Sequence, residues 1–309
     1  MRAVTISDFG SPDEITFTER PEPQAGEGEV VVRVEAATVN PVDGALIAGH
    51  LSALLPKGSS APYTPGWDLA GRVESVGHNV GPDLVGARVL GFSQWFHAAN
   101  GTQAELVRLA RSSVVQVKDQ IEATELTTFG LNGLTAVWAL ERAPVQMGQV
   151  LLVTGGTGAI GGFTVQIAAS RGVEVVTVGR SGDVDRLRRL GARHVIDRDA
   201  DVAGEIRKIY PHGVDGLVAA GPADQRALAA VRDGGVATTM AGELERERSI
   251  ELRPTWVEPD QAILEAVVDL VQDGVLTARL GEVFPANRAA DAYRALLTRD
   301  DHRRIVLAF

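Results

Sequence analysis

No cysteine occurs in the 309 residues of this chain, so disulfide bonds, thiolate chemistry and cysteine-ligated metal sites are all excluded. That absence fits a reducing, cytoplasmic setting. Lysine is almost missing as well, with only Lys57, Lys118 and Lys208, and the remaining basic residues are arginine, a compositional bias without a function of its own. A net charge of -10 leaves little room for the clustered positive surface that nucleic acid or an anionic membrane requires. Neither partner is expected. Charge of either sign is absent from Ala143 to Ser170, a run long enough to suggest a membrane span. Glycines crowd its middle, Gln146, Gln149 and Gln166 interrupt it, and no second such run exists, so it is read as a buried segment. The opening MRAVTISDFG has neither the apolar core nor the cleavage pattern of a signal peptide. With 45% hydrophobic residues the chain can bury substantial cores, and its length favours two domains.

What is present is concentrated in Gln149 to Ser170, QVLLVTGGTGAIGGFTVQIAAS. Val150 to Val153 form a short apolar run of strand type, glycines fill the turn, and Ile160, Phe163, Ile167 and Ala168 then recur at helical spacing. Gly156, Gly158 and Gly161 satisfy GxGxxG, whose glycines permit a tight turn, close approach of backbone to a pyrophosphate, and close packing of helix on strand. The helix N-terminus adds unpaired N–H groups for the anion. A lone GxGxxG also describes any glycine-rich surface turn. Strand, turn and helix in immediate order favour dinucleotide binding.

Up to about Glu125 the chain reads as a β-rich unit, with apolar or alternating runs at Glu29 to Ala36, Gly71 to Val76 and Ala87 to Gly91 between Gly, Pro and Asn turns. A βα rhythm follows. Strands are expected at Val173 to Gly179, His194 to Asp197, Gly216 to Ala220 and Val236 to Ala241, with helices at Asp183 to Leu190, Val202 to Tyr210 and Asp224 to Val231. Such alternation implies a parallel sheet covered on both faces. Beyond Trp256 come a helix at Asp260 to Gln272, another at Ala289 to Thr298, and a strand at Arg304 to Phe309 whose partner the sequence leaves open.

These residues resemble the medium-chain dehydrogenase/reductase superfamily, in its zinc-free NADPH:quinone oxidoreductase branch related to zeta-crystallin. The resemblance covers essentially the whole chain: VEAATVNPVDGALIAG with Asn40-Pro41-Val42-Asp43, PGWDLAGRVESVG from Pro65 to Gly77, GLTAVWAL from Gly133 to Leu140, the glycine turn, LGARHVID from Leu190 to Asp197, and the ending HRRIVLAF. It implies an α/β architecture with a GroES-like β-rich substrate domain, residues 1–125 and 257–309, and a doubly wound Rossmann NADPH-binding domain, residues 126–256, with catalysis in the cleft between them. A homodimer through edge-strand pairing at Ser249 to Arg253 is also implied.

Cofactor choice is read at the end of the second strand of that domain. An NAD site places Asp or Glu about 20 residues after the glycines to accept from the ribose. Gly179-Arg180-Ser181 stands there instead, and guanidinium and hydroxyl groups can donate to a 2′-phosphate that a carboxylate would repel. Arg180 is otherwise one more solvated arginine. By resemblance, Thr157, Gly158, Ala159 and Ile160 contact the pyrophosphate beside Gly156, Arg193 helps hold the adenosine end, Ala241 and Gly242 lie along the cofactor, and Asn40 and Thr135 sit near the nicotinamide. Asn40 can equally serve its proline turn, and Thr135 a helix backbone.

Zinc alcohol dehydrogenases of the superfamily use Cys and His ligands, and where they carry Gly-His-Glu this chain has Gly66-Trp67-Asp68. Its six histidines are scattered without ligand spacing, so no metal is expected. Hydride transfer without zinc suits electron-poor acceptors: a quinone foremost, then enones, enals or enoyl thioesters, with a non-catalytic NADPH-binding sensor or structural role as the other class. Many relatives carry Tyr where this chain has Ala45. Tyr63 is a possible substitute or a packed loop residue, and Trp95, Phe96 and Trp256 are candidates to line a flat substrate pocket or to belong to a core. No residue is singled out as catalytic.

Overall fold

The computed structural model describes residues 1–98, 101–118, 120–246, 248–299 and 301–309. The chain divides into two compact units, one of residues 1–131, 258–268 and 278–309, the other of residues 132–257 and 269–277.

The first unit is organised on the strand Glu29–Val39, EVVVRVEAATV, which is buried over most of its length. Its neighbours account for that apolar composition. Asp68–Val76 pairs along one edge, while the other edge is shared by Leu106–Ala110 opposite residues 29–33 and Arg304–Ala308 opposite residues 36–39, all antiparallel. Val30, Val32, Val34, Leu69, Val89, Val107 and Leu109 meet in the resulting core. The C-terminal strand therefore belongs to this unit. Outside it lies a parallel strand, Leu280–Pro285, that the sequence pattern did not reveal; only Phe284 is fully buried there, so no apolar alternation marks it.

The second unit is a six-stranded parallel sheet in the order His194–Asp197, Glu174–Gly179, Val150–Thr154, Val214–Pro222, Val231–Ala241, Glu251–Leu252. Order reverses between Val150–Thr154 and Val214–Pro222, and at such a switch point ligands bind beyond the carboxyl ends of the strands. One expected helix is largely absent. Of residues 224–231 only Gln225–Leu228 is helical, because Val231 already pairs with Val214 and the strand continues to Ala241 through a bulge that Gly234, at φ +71, makes possible. No described helix is long and apolar enough to cross a membrane.

Candidate functional site

In the second unit, the strand Val150–Thr154 runs into Gly155, held at φ +69, and the chain then enters the helix Ala159–Ser170. Each glycine has its own steric reason. A Cβ on Gly155 would lie 2.8 Å from the Gly221 nitrogen, one on Gly156 would lie 2.4 Å from Thr177 Oγ1, and one on Gly161 would lie 2.2 Å from the Gly155 carbonyl oxygen. Gly158 is different: a Cβ there would be 3.3 Å from the same oxygen, so its missing side chain serves the space in front of the turn. Gly158 is the N-cap and offers no capping side chain to the first turn, whose N–H groups are suited to an anion. This is a cradle that a side chain would fill, and it fits a dinucleotide pyrophosphate.

Around this turn the carboxyl ends of the strands gather several of the expected residues. Gly179 ends its strand beside Leu187, and Arg180 and Ser181 follow it, both exposed. Ala241 closes its own strand with the carbonyl that accepts from Ala223 N at 3.1 Å, and Gly242 follows at φ +78. Two arginines that sequence reasoning passed over also stand here. Arg186 donates through Nη2 to the Thr157 carbonyl at 2.9 Å, and the Arg198 backbone N–H donates to the Gly179 carbonyl at 3.1 Å. A carboxylate is present too, since Asp183 accepts from the Arg180 N–H at 3.4 Å.

Arg193 has to be reassigned. Its N–H donates to Val175 at 2.8 Å and its guanidinium lies 3.9 Å from Glu174, both at the amino ends of the strands. The strand His194–Asp197, roughly 13 Å long, lies between it and the carboxyl end of the sheet. A residue just before a parallel strand and one just after it lie at opposite ends of the sheet, so Arg198 occupies the end at which Arg193 was expected. Thr135 is buried on the helix Gly130–Arg142.

In the first unit, Asn40 is buried at the start of the helix Pro41–Ile47, and Ala45 is half-buried on that helix. Two buried aspartates surround Asn40. Asp43 accepts from Asn40 N at 2.8 Å and from Gly66 N at 3.0 Å. Asp68 accepts from Leu131 N at 3.0 Å, and Asn40 Nδ2 lies 3.4 and 3.5 Å from its two oxygens. Burial pushes the Asp43 carboxyl up to about 8, with the nearby Asp68 charge adding to the rise against its two backbone N–H partners. Asp68 is pushed up to about 7, again chiefly by burial. Sequence reading used both aspartates only as motif letters; their polar character inside apolar segments was the available signal.

Beside them the aromatic residues form a chain of ring contacts: Phe9 stacks on Tyr63 at 5.6 Å, Tyr63 meets Trp95 at 6.2 Å, Trp95 meets Phe96 at 5.9 Å, and Trp67 meets Phe96 at 5.1 Å and Phe92 at 6.2 Å. Trp95 is wholly buried and donates from Nε1 to the Thr64 carbonyl at 2.7 Å, so it is a core residue here rather than a pocket wall. Tyr63 and Phe96 are half-buried. Trp256, in the second unit, is 53% exposed. Among the described residues no three His, Asp or Glu side chains group as metal ligands.

Comparison with known proteins gives two family matches, an alcohol dehydrogenase GroES-like domain over residues 26–119 and a zinc-binding dehydrogenase over residues 159–264. A quinone oxidoreductase of Rattus norvegicus is 30% identical over 225 residues, 71% of this chain and 65% of that protein. Against several curated relatives the match spans about half to two thirds of their length. An alcohol dehydrogenase superfamily protein from Novosphingobium aromaticivorans has the same fold, with a TM-score of 0.90 at 24% identity over 100% of this chain and 99% of that one. A mycobacterial protein solved in complex with NADPH gives a TM-score of 0.85 at 24% identity, covering 100% of both chains.

Proposed function

Because the chain belongs to the medium-chain dehydrogenase/reductase superfamily, in its quinone-oxidoreductase-like branch, we propose that it is an NADPH-dependent, zinc-independent oxidoreductase acting on electron-poor conjugated acceptors, quinones foremost. The observation that carries this reading is the glycine cradle at the sheet's switch point, where Gly155, Gly156 and Gly161 have no room for a side chain against the turn and its neighbouring strands and Gly158 leaves the space before the helix N-terminus open. When bound, the nicotinamide supplies a hydride; with one proton from solvent, a quinone becomes a hydroquinone and the cofactor leaves oxidised.

The chain's own residues hold and orient. Thr157, Ala159 and Ile160 offer backbone N–H groups to the pyrophosphate, the Gly158 N–H being bonded to the Gly155 carbonyl at 2.9 Å, and Arg180 and Ser181 follow the next strand where a 2′-phosphate would lie. Zinc does not fit the residues present. Cysteine is absent, Trp67 cannot ligate a metal, and Asp43 and Asp68 already accept backbone N–H groups. Ala45 offers no proton donor, which favours quinones over enones, because a quinol anion is stabilised by resonance and takes its proton from water.

A panel of quinones, enones and simple alcohols, each with NADPH or NADP+ after chelation, tests the reading. Quinone reduction unaffected by chelation is expected. Restoration of lost activity by added Zn²⁺, or alcohols as the best substrates, would refute it, and tight NADPH binding with no turnover on any acceptor would favour the sensor reading.

Cofactor choice gives a sharper result. Arg180→Ala should weaken NADPH about tenfold, the low end for a charge-assisted hydrogen bond because Arg180 is exposed, and leave NADH nearly unchanged. Arg193→Ala should change neither. Equal losses for both cofactors in a titration of Arg180→Ala would remove the 2′-phosphate assignment.

A further inference from the structure

Within the second unit, one short helix joins the glycine turn to the strand end beside it. Leu187, buried on the helix Val184–Arg189, packs so closely on both that a Cβ on Gly156 would come within 3.2 Å of it and one on Gly179 within 2.6 Å. The helix is therefore seated against the turn and against the end of the strand Glu174–Gly179 at once. Arg186 precedes Leu187 and is half-buried. Its Nη2 donates to the Thr157 carbonyl at 2.9 Å, a bond to the turn itself. The guanidinium is thus held at the turn, on the side where Gly179 ends its strand.

In a dinucleotide fold that is the ribose end of the site, where a carboxylate closing the second strand accepts from the hydroxyls of NAD. Gly179 stands there without a side chain, and the groups around it are mixed in charge. Asp183 accepts from the Arg180 N–H at 3.4 Å, and its Cβ is 3.5 Å from where a Cβ on Gly179 would lie. A carboxylate so placed repels a 2′-phosphate. Arg180 is exposed, so salt screens its charge and its side chain gives up freedom on engaging a ligand. A half-buried guanidinium already fixed by a carbonyl suffers less from either effect.

We propose that Arg186 is the principal ligand of the cofactor's 2′-phosphate and the residue that sets NADPH above NADH. This rests on the functional reading above and names the group that enforces its cofactor choice. Five N–H donors share the plane of a guanidinium, so the Thr157 carbonyl orients the fork that a phosphate oxygen engages. Selection is then a competition at one place. Asp183 suits the ribose hydroxyl of NADH, Arg186 suits the phosphate of NADPH, and the anchored cation prevails over an acid that its own neighbour Arg180 already engages through the backbone.

Four ligands titrated calorimetrically into the full chain test this. NADPH and NADH form one pair, and adenosine 2′,5′-bisphosphate and 5′-AMP form another that differs by the 2′-phosphate alone. Arg186→Gln should weaken NADPH and the bisphosphate about 30-fold each, within the range for a hydrogen bond to a charged group, while NADH and 5′-AMP change by less than about threefold. Arg186→Lys keeps the charge without the fork and should recover part of the loss; it carries the test by itself if Arg186→Gln does not fold. Equal weakening of all four ligands would mean that Arg186 only shapes the turn through Thr157, and unchanged binding of NADPH would mean that its guanidinium never meets the phosphate. Either result overturns the proposal alone. Wild-type protein that prefers NADH would instead sink the cofactor reading, and the proposal with it, and would assign Asp183 to the ribose.

Discussion

Gly161→Val should abolish dinucleotide binding, weakening NADPH by more than about 100-fold, and should also lower the stability of the second unit. The Cβ would fall 2.2 Å from the Gly155 carbonyl oxygen and 2.6 Å from its carbon, and both are backbone atoms that cannot turn aside. Either the helix Ala159–Ser170 draws back from the strand or the turn opens, and each movement takes the N–H groups away from the phosphates. Overpacking of this kind costs about 1–3 kcal/mol. Gly158→Ala makes the informative contrast. Its Cβ would be 3.3 Å from that oxygen, a tight but tolerable approach, so the variant should fold normally and still lose affinity because the methyl enters the space in front of the turn. Calorimetric titration with NADPH and thermal unfolding of both variants read the two effects separately. A Gly161→Val protein that binds NADPH at wild-type strength would show that the cradle is a mere turn.

That turn was legible in the sequence because each contact of its glycines follows from chemistry that only glycine permits. The buried strands were legible for a related reason. Val150–Thr154 and Glu174–Gly179 stand where apolar runs placed them, since a parallel strand covered on both faces needs little else. Pattern reading failed where burial was one-sided or the register irregular. Leu280–Pro285 lies mostly exposed outside Arg304–Ala308 and keeps no alternation, and the alanine-rich run leading to Val231 resembles a helix although the parallel pairing with Val214 ends it early.

The candidate site divides the same way. The resemblance suggested Arg193, in the loop before the strand His194–Asp197, and the topology puts Arg198 rather than Arg193 beside Gly179. Trp67 and the aspartates were illegible as partners because their meaning lies in what surrounds them. Asp43 and Gly66 are far apart in sequence, and only the fold shows that one carboxylate ties the helix Pro41–Ile47 to the loop before Trp67.

Removing that tie should be among the most damaging single changes in the first unit. Asp43→Ala leaves the N–H groups of Asn40 and Gly66 buried without their acceptor, at about 1–3 kcal/mol each, so a loss of about 2–6 kcal/mol is expected. Acidity gives the same cluster a signature in the opposite sense to a surface ion pair. Burial holds Asp43 at about 8 and Asp68 at about 7, far above the ordinary 3.8, so the folded chain retains protons that the unfolded chain releases. Their contribution to stability is fully present below about pH 4 and is lost as pH rises toward 7 for Asp68 and 8 for Asp43. Exposed carboxylates such as Glu74, whose bond to Arg33 holds it below its usual range, act oppositely and mostly below that window. Urea unfolding followed by tryptophan fluorescence between pH 5 and 8 should show wild-type stability falling as pH rises. Asp68→Asn, which cannot ionise and also relieves Asp43 of a neighbouring charge, should flatten the slope. Stability that climbs across this range in wild type, or a slope that Asp68→Asn leaves untouched, would mean that both carboxylates are ionised in the folded protein and that burial does not govern them.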